Sequence, residues 1–131
     1  DTLIVELYDT LEGAYSEDAL QAVKGEYMDL VERDPGEHWY DSIKLAASIS
    51  KRGKKNQSSR FDELTLQHFE TYLSDDAIPV SDAKVKQEKA SYYVNGLLEK
   101  GGPSTDVFKK ALGEEKTAKL FEDILFGTKI E

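Results

Sequence analysis

Apolar residues recur at spacings of three and four along nearly the whole of this chain of 131 residues. Such spacing is typical of one face of an α-helix, whereas a half-buried strand alternates apolar and polar residues. The clearest ladder consists of Ala90, Tyr93, Val94, Leu97 and Leu98. Gly101-Gly102-Pro103 follows it and is a sequence that ends a helix. The pattern therefore predicts an all-α domain with no sheet.

About seven short helices follow from this periodicity. The first carries Leu3 to Leu11 and stops at Gly13; a strand is the alternative over Leu3 to Val5, but the spacing beyond Val5 favours a helix. The other six are predicted from Ser16 to Asp34, from Trp39 to Ile49, from Ser58 or Ser59 to Leu73, from Ser81 to Lys100, from Thr105 to Leu112, and over Leu120 to Leu125.

Two segments are expected along the chain. Residues 1–40 form an N-terminal helical extension of unassigned role, and residues 41–131 form a helical domain. The apolar stripes of the first 34 residues are too large to remain in water. We therefore expect them to pack on residues 42–126 or on a second copy of the chain.

The charge balance is acidic, with 17 Lys and Arg against 26 Asp and Glu and a net charge of −9. A body of this charge repels phosphate backbones, so nucleic acid is not an expected partner. Cys is absent, which excludes disulfides, thiolate catalysis and cysteine-based zinc sites. No apolar run is long enough to span a bilayer, so direct membrane insertion is not expected.

No arrangement of residues with catalytic or metal-binding spacing stands out. The two histidines, His38 and His68, are isolated, and His68 shares the spacing of an apolar face, which favours a structural role. The acidic loop from Asp75 to Asp82 lacks the ligand spacing of a calcium loop. We therefore expect no enzymatic activity, no metal, no cofactor and no small-molecule substrate.

One short segment is basic and comprises Lys51, Arg52, Lys54 and Lys55. It could contact an acidic protein or lipid head groups. Alternatively, these cations follow the end of the third predicted helix, where positive charge is favourable in any case.

The most specific motif lies near the C-terminus and reads Ala111-Leu112-Gly113-Glu114-Glu115-Lys116-Thr117-Ala118. Gly113 can end one helix in a left-handed conformation, and the two glutamates then open the next helix. With the preceding glycine pair and the following apolar helix, this motif resembles the N-terminal domain of the flagellar motor switch protein G family. The resemblance is strongest over residues 101–125.

This resemblance implies an armadillo-like, right-handed array of helices with a structural role. Domains of that family anchor the rotor switch ring to the cytoplasmic tail of the MS-ring protein and pack against neighbouring copies of themselves. The implied location is the cytoplasmic side of the inner membrane, in the flagellar basal body, with a role in motility and chemotaxis. The candidate partner-binding residues are Leu120, Phe121, Ile124, Leu125 and Phe126. The alternative is that all five simply close the core.

Two other functions remain open. The charge of −9 also suits an acidic helical regulator, of phage or stress origin, that binds a basic protein. A small enzyme or ligand-binding domain with a site assembled from scattered polar residues is the third possibility.

Overall fold

The computed structural model describes residues 1–10, 16–76, 78–102 and 104–129. Within them it contains five α-helices and a three-stranded antiparallel sheet, and 57% of these residues are helical. The prediction of an all-α, armadillo-like array of seven helices is therefore wrong. The elements are β1 (Thr2–Val5), α1 (Asp18–Gly25), β2 (Val31–Glu32), β3 (Ile49–Arg52), α2 (Ser58–Ser74), α3 (Ala83–Lys100), α4 (Thr105–Leu112) and α5 (Glu114–Lys119).

Strand β1 lies at the start of the first predicted helix and β2 lies near the end of the second. Strand β3 begins at Ile49, where the third predicted helix was expected to end, and that third segment contains a short 3-10 helix over Asp41–Ile43 instead. The strand order of the sheet is β1-β3-β2, and β1 pairs antiparallel with β3 so that Val5 lies opposite Ile49. Thr, Ile and Val in β1 are good strand formers because branching at Cβ fits a pleated surface. The pairing satisfies the backbone of both segments, which is why the alternative of a strand over Leu3 to Val5 is the correct one. Leu11, Gly13 and Pro103, used in the helix predictions, lie outside the described residues.

The core of the first half of the chain lies between the sheet and helices α1 and α2. Its buried cluster contains Val23, Tyr27, Leu30, Ile49, Phe61 and Leu64, with Leu3 and Val5 packed against it. Helix α1 is shorter than predicted, because it ends at Gly25 and gives way to turns before β2. The expectation that the first 34 residues pack against later parts of the same chain is confirmed for these contacts.

An exposed network ties the start of α2 to the turn that follows α1. The guanidinium of Arg60 donates to Asp29 at 2.8 and 3.1 Å and to Glu63 at 2.7 Å. Its Cζ also lies 4.3 Å from the centroid of the Tyr27 ring. The hydrogen bonds from Arg60 lower the pKa of the Asp29 carboxyl, and burial raises the pKa of the Tyr27 hydroxyl.

Helices α3, α4 and α5 form the C-terminal half, and α3 and α4 largely follow their predicted bounds. Helix α5 precedes the range predicted for the last helix and begins at Glu114, where the two glutamates indicate a helix start. Asp82, rather than the predicted Ser81, caps α3, with its carboxylate accepting hydrogen bonds from the backbone N–H groups of Lys84 and Val85. The helix ends at Gly101, whose φ of 81° a side chain would resist. The carbonyl of Gly101 accepts a 2.8 Å hydrogen bond from the indole N–H of Trp39, so the helix end also fixes the only tryptophan.

The described residues divide into two compact units. The first contains residues 1–9, 16–38, 43–76 and 78–79, and it carries the sheet with α1 and α2. The second contains residues 10, 39–42, 80–102 and 104–129, and it carries α3, α4 and α5. Residues 1–40 thus contribute to both units. Across the described ranges, no helix combines the length and the apolar character needed to cross a membrane.

Candidate functional site

The C-terminal segment changes its helical geometry at the residues predicted to bind a partner. Helix α5 follows Gly113, which has a φ of 82°, and the Thr117 hydroxyl donates back to the Gly113 carbonyl at 2.8 Å. From Leu120 to Leu125 the chain forms a π-helix, in which the N–H of Phe126 donates to the carbonyl of Phe121 at 3.0 Å. Such wide turns are rare and occur frequently at functional sites.

The π-helix separates the five predicted partner-binding residues. Phe121 is buried and Leu120 is partly buried, whereas Ile124, Leu125 and Phe126 are exposed by 74, 53 and 42%. In a π-helix each backbone hydrogen bond spans five residues instead of four. Each residue therefore rotates less around the helix axis than it does in an α-helix. Leu125 is therefore rotated away from the buried face on which α-helical spacing would place it.

Aromatic contacts hold this segment to the rest of the second unit. Phe121 meets Phe108 edge-on, with the ring centroids 5.7 Å apart. Phe126 meets Tyr93 edge-on at 5.8 Å and lies 5.9 Å from the Phe121 ring. Because Phe126 is anchored on one side and open to solvent on the other, its position is defined before any partner arrives.

A groove lies directly beside Phe126. It has a volume of about 300 Å³ and is lined by Val80, Ala83, Lys86, Gln87, Ala90, Phe126, Gly127 and Thr128. The Gln87 amide donates to the Thr128 carbonyl at 2.8 Å, and the Thr128 N–H donates to the Glu122 carbonyl at 2.7 Å. These bonds fix the turn that forms one wall. This groove and the exposed side chains of Ile124 and Leu125, which directly precede Phe126 in the chain, are together called the C-terminal surface below.

The four residues of the predicted basic contact loop do not share one environment. Arg52, Lys54 and Lys55 are exposed, but Lys51 is almost completely buried in strand β3. The Lys51 ammonium makes a 2.7 Å ion pair with Glu32 and donates to the carbonyls of Tyr27 and Leu30. Lys51 therefore stabilises the fold, and only the other three cations are available to a partner.

A second cavity of about 290 Å³ lies in the first unit. Its lining includes Lys24, Arg33 and Lys44 together with Glu6 and Glu32, so neither charge dominates. The Lys24 ammonium is already engaged by the carbonyls of Ala46 and Ser48 at 3.2 and 2.9 Å. The cavity thus lacks a cluster of like charges that would select an anionic or a cationic ligand.

His68 has the structural environment that its spacing predicts. It is buried on α2, and its Nε2 lies 3.1 Å from the carbonyl of Ala47. Since a carbonyl only accepts, Nε2 carries the hydrogen. In the described part of the chain, no three His, Asp or Glu side chains are grouped closely enough to hold a metal ion.

Helix α2 carries an exposed apolar face that the sequence pattern did not single out. Leu66, Phe69 and Leu73 are exposed by 58, 56 and 64%, and Tyr72 beside them is also exposed. Tyr72 shares the helical spacing of Phe61, Leu64 and His68, but it is exposed whereas those three residues are buried. The signal that could have found this face is the presence of two apolar stripes on one helix, since packing against a single core needs only one.

No protein-family model matches the sequence, and no curated protein resembles it at a significant level.

Proposed function

We propose that this chain is a non-catalytic protein-interaction module that binds a partner helix on its C-terminal surface. The observation that carries the proposal is the exposure of three consecutive apolar residues, Ile124, Leu125 and Phe126, the last of which lines an apolar groove. Burial of apolar surface stabilises a complex by about 25 cal/mol per Å². An amphipathic helix that covered these three side chains and entered the groove would gain this stabilisation.

The specific partner that we propose is the cytoplasmic tail of the MS-ring protein, with the chain serving in the flagellar rotor switch ring. The support is the resemblance over residues 101–125, and the residues of this range that the structure describes belong to the second unit. There the Ala-Leu-Gly-Glu-Glu motif forms the junction of α4 and α5, with Gly113 in the left-handed region between them. This junction is the local structure that the motif implies.

A second candidate function is the binding of a basic protein, and the distribution of charge favours it. The first unit contains eight Lys and Arg against fifteen Asp and Glu, a formal charge of −7. The acidic charge is thus concentrated beside the sheet and α2. A field of one sign raises the rate at which oppositely charged partners arrive and disfavours anionic ones.

Titration calorimetry with an MS-ring tail peptide tests the first proposal. We expect Ile124→Ser and Phe126→Ala each to weaken binding by about tenfold, because both shorten the apolar surface that the helix would cover. Val107→Ser is the matched control, since Val107 is an exposed apolar residue on α4. Thermal melts of each variant separate loss of binding from loss of folding. If the unmutated chain does not bind the peptide, the anchoring function is wrong.

A further inference from the structure

Helix α2 presents two apolar stripes on different sides. Phe61, Leu64 and His68 form the buried stripe. The exposed stripe consists of Leu66, Phe69 and Leu73, and each of its residues follows its buried counterpart by five positions. Five residues at 3.6 per turn correspond to a rotation of about 140° around the helix axis. The two stripes therefore lie on nearly opposite sides, as in a helix packed between two bodies.

Three exposed carboxylates border the exposed stripe. Asp62 precedes Leu66 by one turn, Glu70 lies beside Phe69, and Asp76 follows the end of the helix. Within the described part of the chain, none of the three takes part in an ion pair with a Lys or Arg. An apolar stripe with an unneutralised acidic border is complementary to a helix that has an apolar stripe flanked by Lys or Arg.

The same charges disfavour a second copy of the chain as the occupant. An antiparallel pair of α2 helices that matched Leu66 with Leu73 would bring Asp62 of one copy close to Asp76 of the other. A parallel pair would place the two Glu70 side chains against each other. Both arrangements that bury the apolar stripe therefore juxtapose like charges, which is unfavourable. An anionic membrane surface would be repelled by the same carboxylates.

We propose that Leu66, Phe69 and Leu73, bordered by Asp62, Glu70 and Asp76, form a docking site for a cationic amphipathic helix of a partner protein. This inference rests on the second candidate function and names its surface. The apolar stripe supplies affinity by burial, and the carboxylates fix the orientation and exclude acidic helices. The site is built entirely from the first unit, so it is distinct from the C-terminal surface.

The test is a fluorescence-anisotropy titration of the full chain with two designed helical peptides. Both have Leu at positions i, i+3 and i+7; the flanking positions are Lys in one peptide and Glu in the other. We expect the Lys peptide alone to bind. Phe69→Ser and Leu73→Ser should each weaken it by about tenfold. The triple variant Asp62→Asn, Glu70→Gln, Asp76→Asn should weaken it and flatten its dependence on salt.

Met28→Ser is the matched control, because Met28 is an exposed apolar residue of the same unit outside α2. It should leave binding unchanged, and circular dichroism should show every variant to be folded. Undiminished binding of the Lys peptide to Phe69→Ser and Leu73→Ser would overturn the site but not the basic-partner function. Absence of any binding would overturn both. Equal binding of the Glu peptide, or a dimer that Phe69→Ser dissociates in sedimentation, would show that the occupant is not a cationic helix.

Discussion

The ammonium of Lys51 lies 2.7 Å from a carboxylate oxygen of Glu32, and this pair joins strand β3 to strand β2. The same ammonium donates to the carbonyls of Tyr27 and Leu30 in the turns after α1. Lys51 is buried, whereas Glu32 is largely exposed. A buried cation is tolerated here because each of its three donors has a partner. The residue thus connects the sheet to the end of the first helix.

Replacement of Lys51 by Met should lower the free energy of unfolding by about 1–3 kcal/mol, because the buried Leu30 carbonyl loses its donor. The Tyr27 carbonyl also loses one hydrogen bond but keeps the N–H of Leu30. Glu32→Gln should cost less than about 1 kcal/mol, because its side chain is exposed. Urea denaturation followed by circular dichroism measures both variants. Equal, small effects would mean that the Lys51 ammonium contributes nothing beyond an exposed ion pair.

Gly96→Ala should destabilise the chain, although this change in a helix interior ordinarily stabilises it. A Cβ at Gly96 would collide with the Trp39 ring. The shifts needed to accommodate the methyl group should lower the free energy of unfolding by about 1–3 kcal/mol. Gly25→Ala is the control, since a Cβ there meets nothing within 4 Å and should stabilise α1 slightly. Because Trp39 is the only tryptophan, its emission should shift in Gly96→Ala alone. Stabilisation by Gly96→Ala would contradict the packing described.

The helices could be predicted from the sequence because their evidence is local. Helices α2, α3 and α4 begin and end within a few residues of the predicted bounds, since apolar spacing, caps and glycines lie within each segment. The sheet could not be predicted in this way. Strand β3 would show alternation if its inward positions were apolar, but Lys51 occupies one of them. That lysine is accommodated only by partners on other segments, which a local pattern does not reveal.

The candidate sites also depend on features that a local sequence pattern does not reveal. Leu120 to Leu125 were correctly assigned to a helix, but α-helical spacing could not reveal the π-helical turn that exposes Leu125. On α2, the exposed stripe contains residues that are as apolar as the buried one. Only the packing of Phe61, Leu64 and His68 in the structure determines which stripe remains free.

Arg60 lowers the pKa of the Asp29 carboxyl through its hydrogen bonds. The free energy of unfolding should therefore depend on pH in the acidic range. The pKa of the Asp29 carboxyl is lower in the folded chain than in the unfolded chain. Ionised Asp29 therefore stabilises the fold fully at any pH above its unfolded pKa, and this stabilisation is lost as the pH falls through its folded pKa. NMR titration of the Asp29 carboxyl should therefore give a pKa below 3.8, and Arg60→Met should raise it. The difference in stability between Asp29→Asn and the unmutated chain should vanish at low pH. An unchanged Asp29 titration in Arg60→Met would show that the ion pair does not form.

Truncation of Phe121 should destabilise the chain strongly, whereas truncation of Ile124 should have almost no effect on stability. The sequence pattern predicts both residues on one face. Phe121 is buried against Phe108, so Phe121→Ala should cost about 3–5 kcal/mol of stability. Ile124 is among the most exposed apolar residues described, so Ile124→Ala should change stability by less than about 0.5 kcal/mol. Thermal and urea denaturation measure both variants in the isolated chain. A large loss of stability in Ile124→Ala would place that residue in the core and remove it from the C-terminal surface, whereas a stable Phe121→Ala would contradict the burial of Phe121 against Phe108.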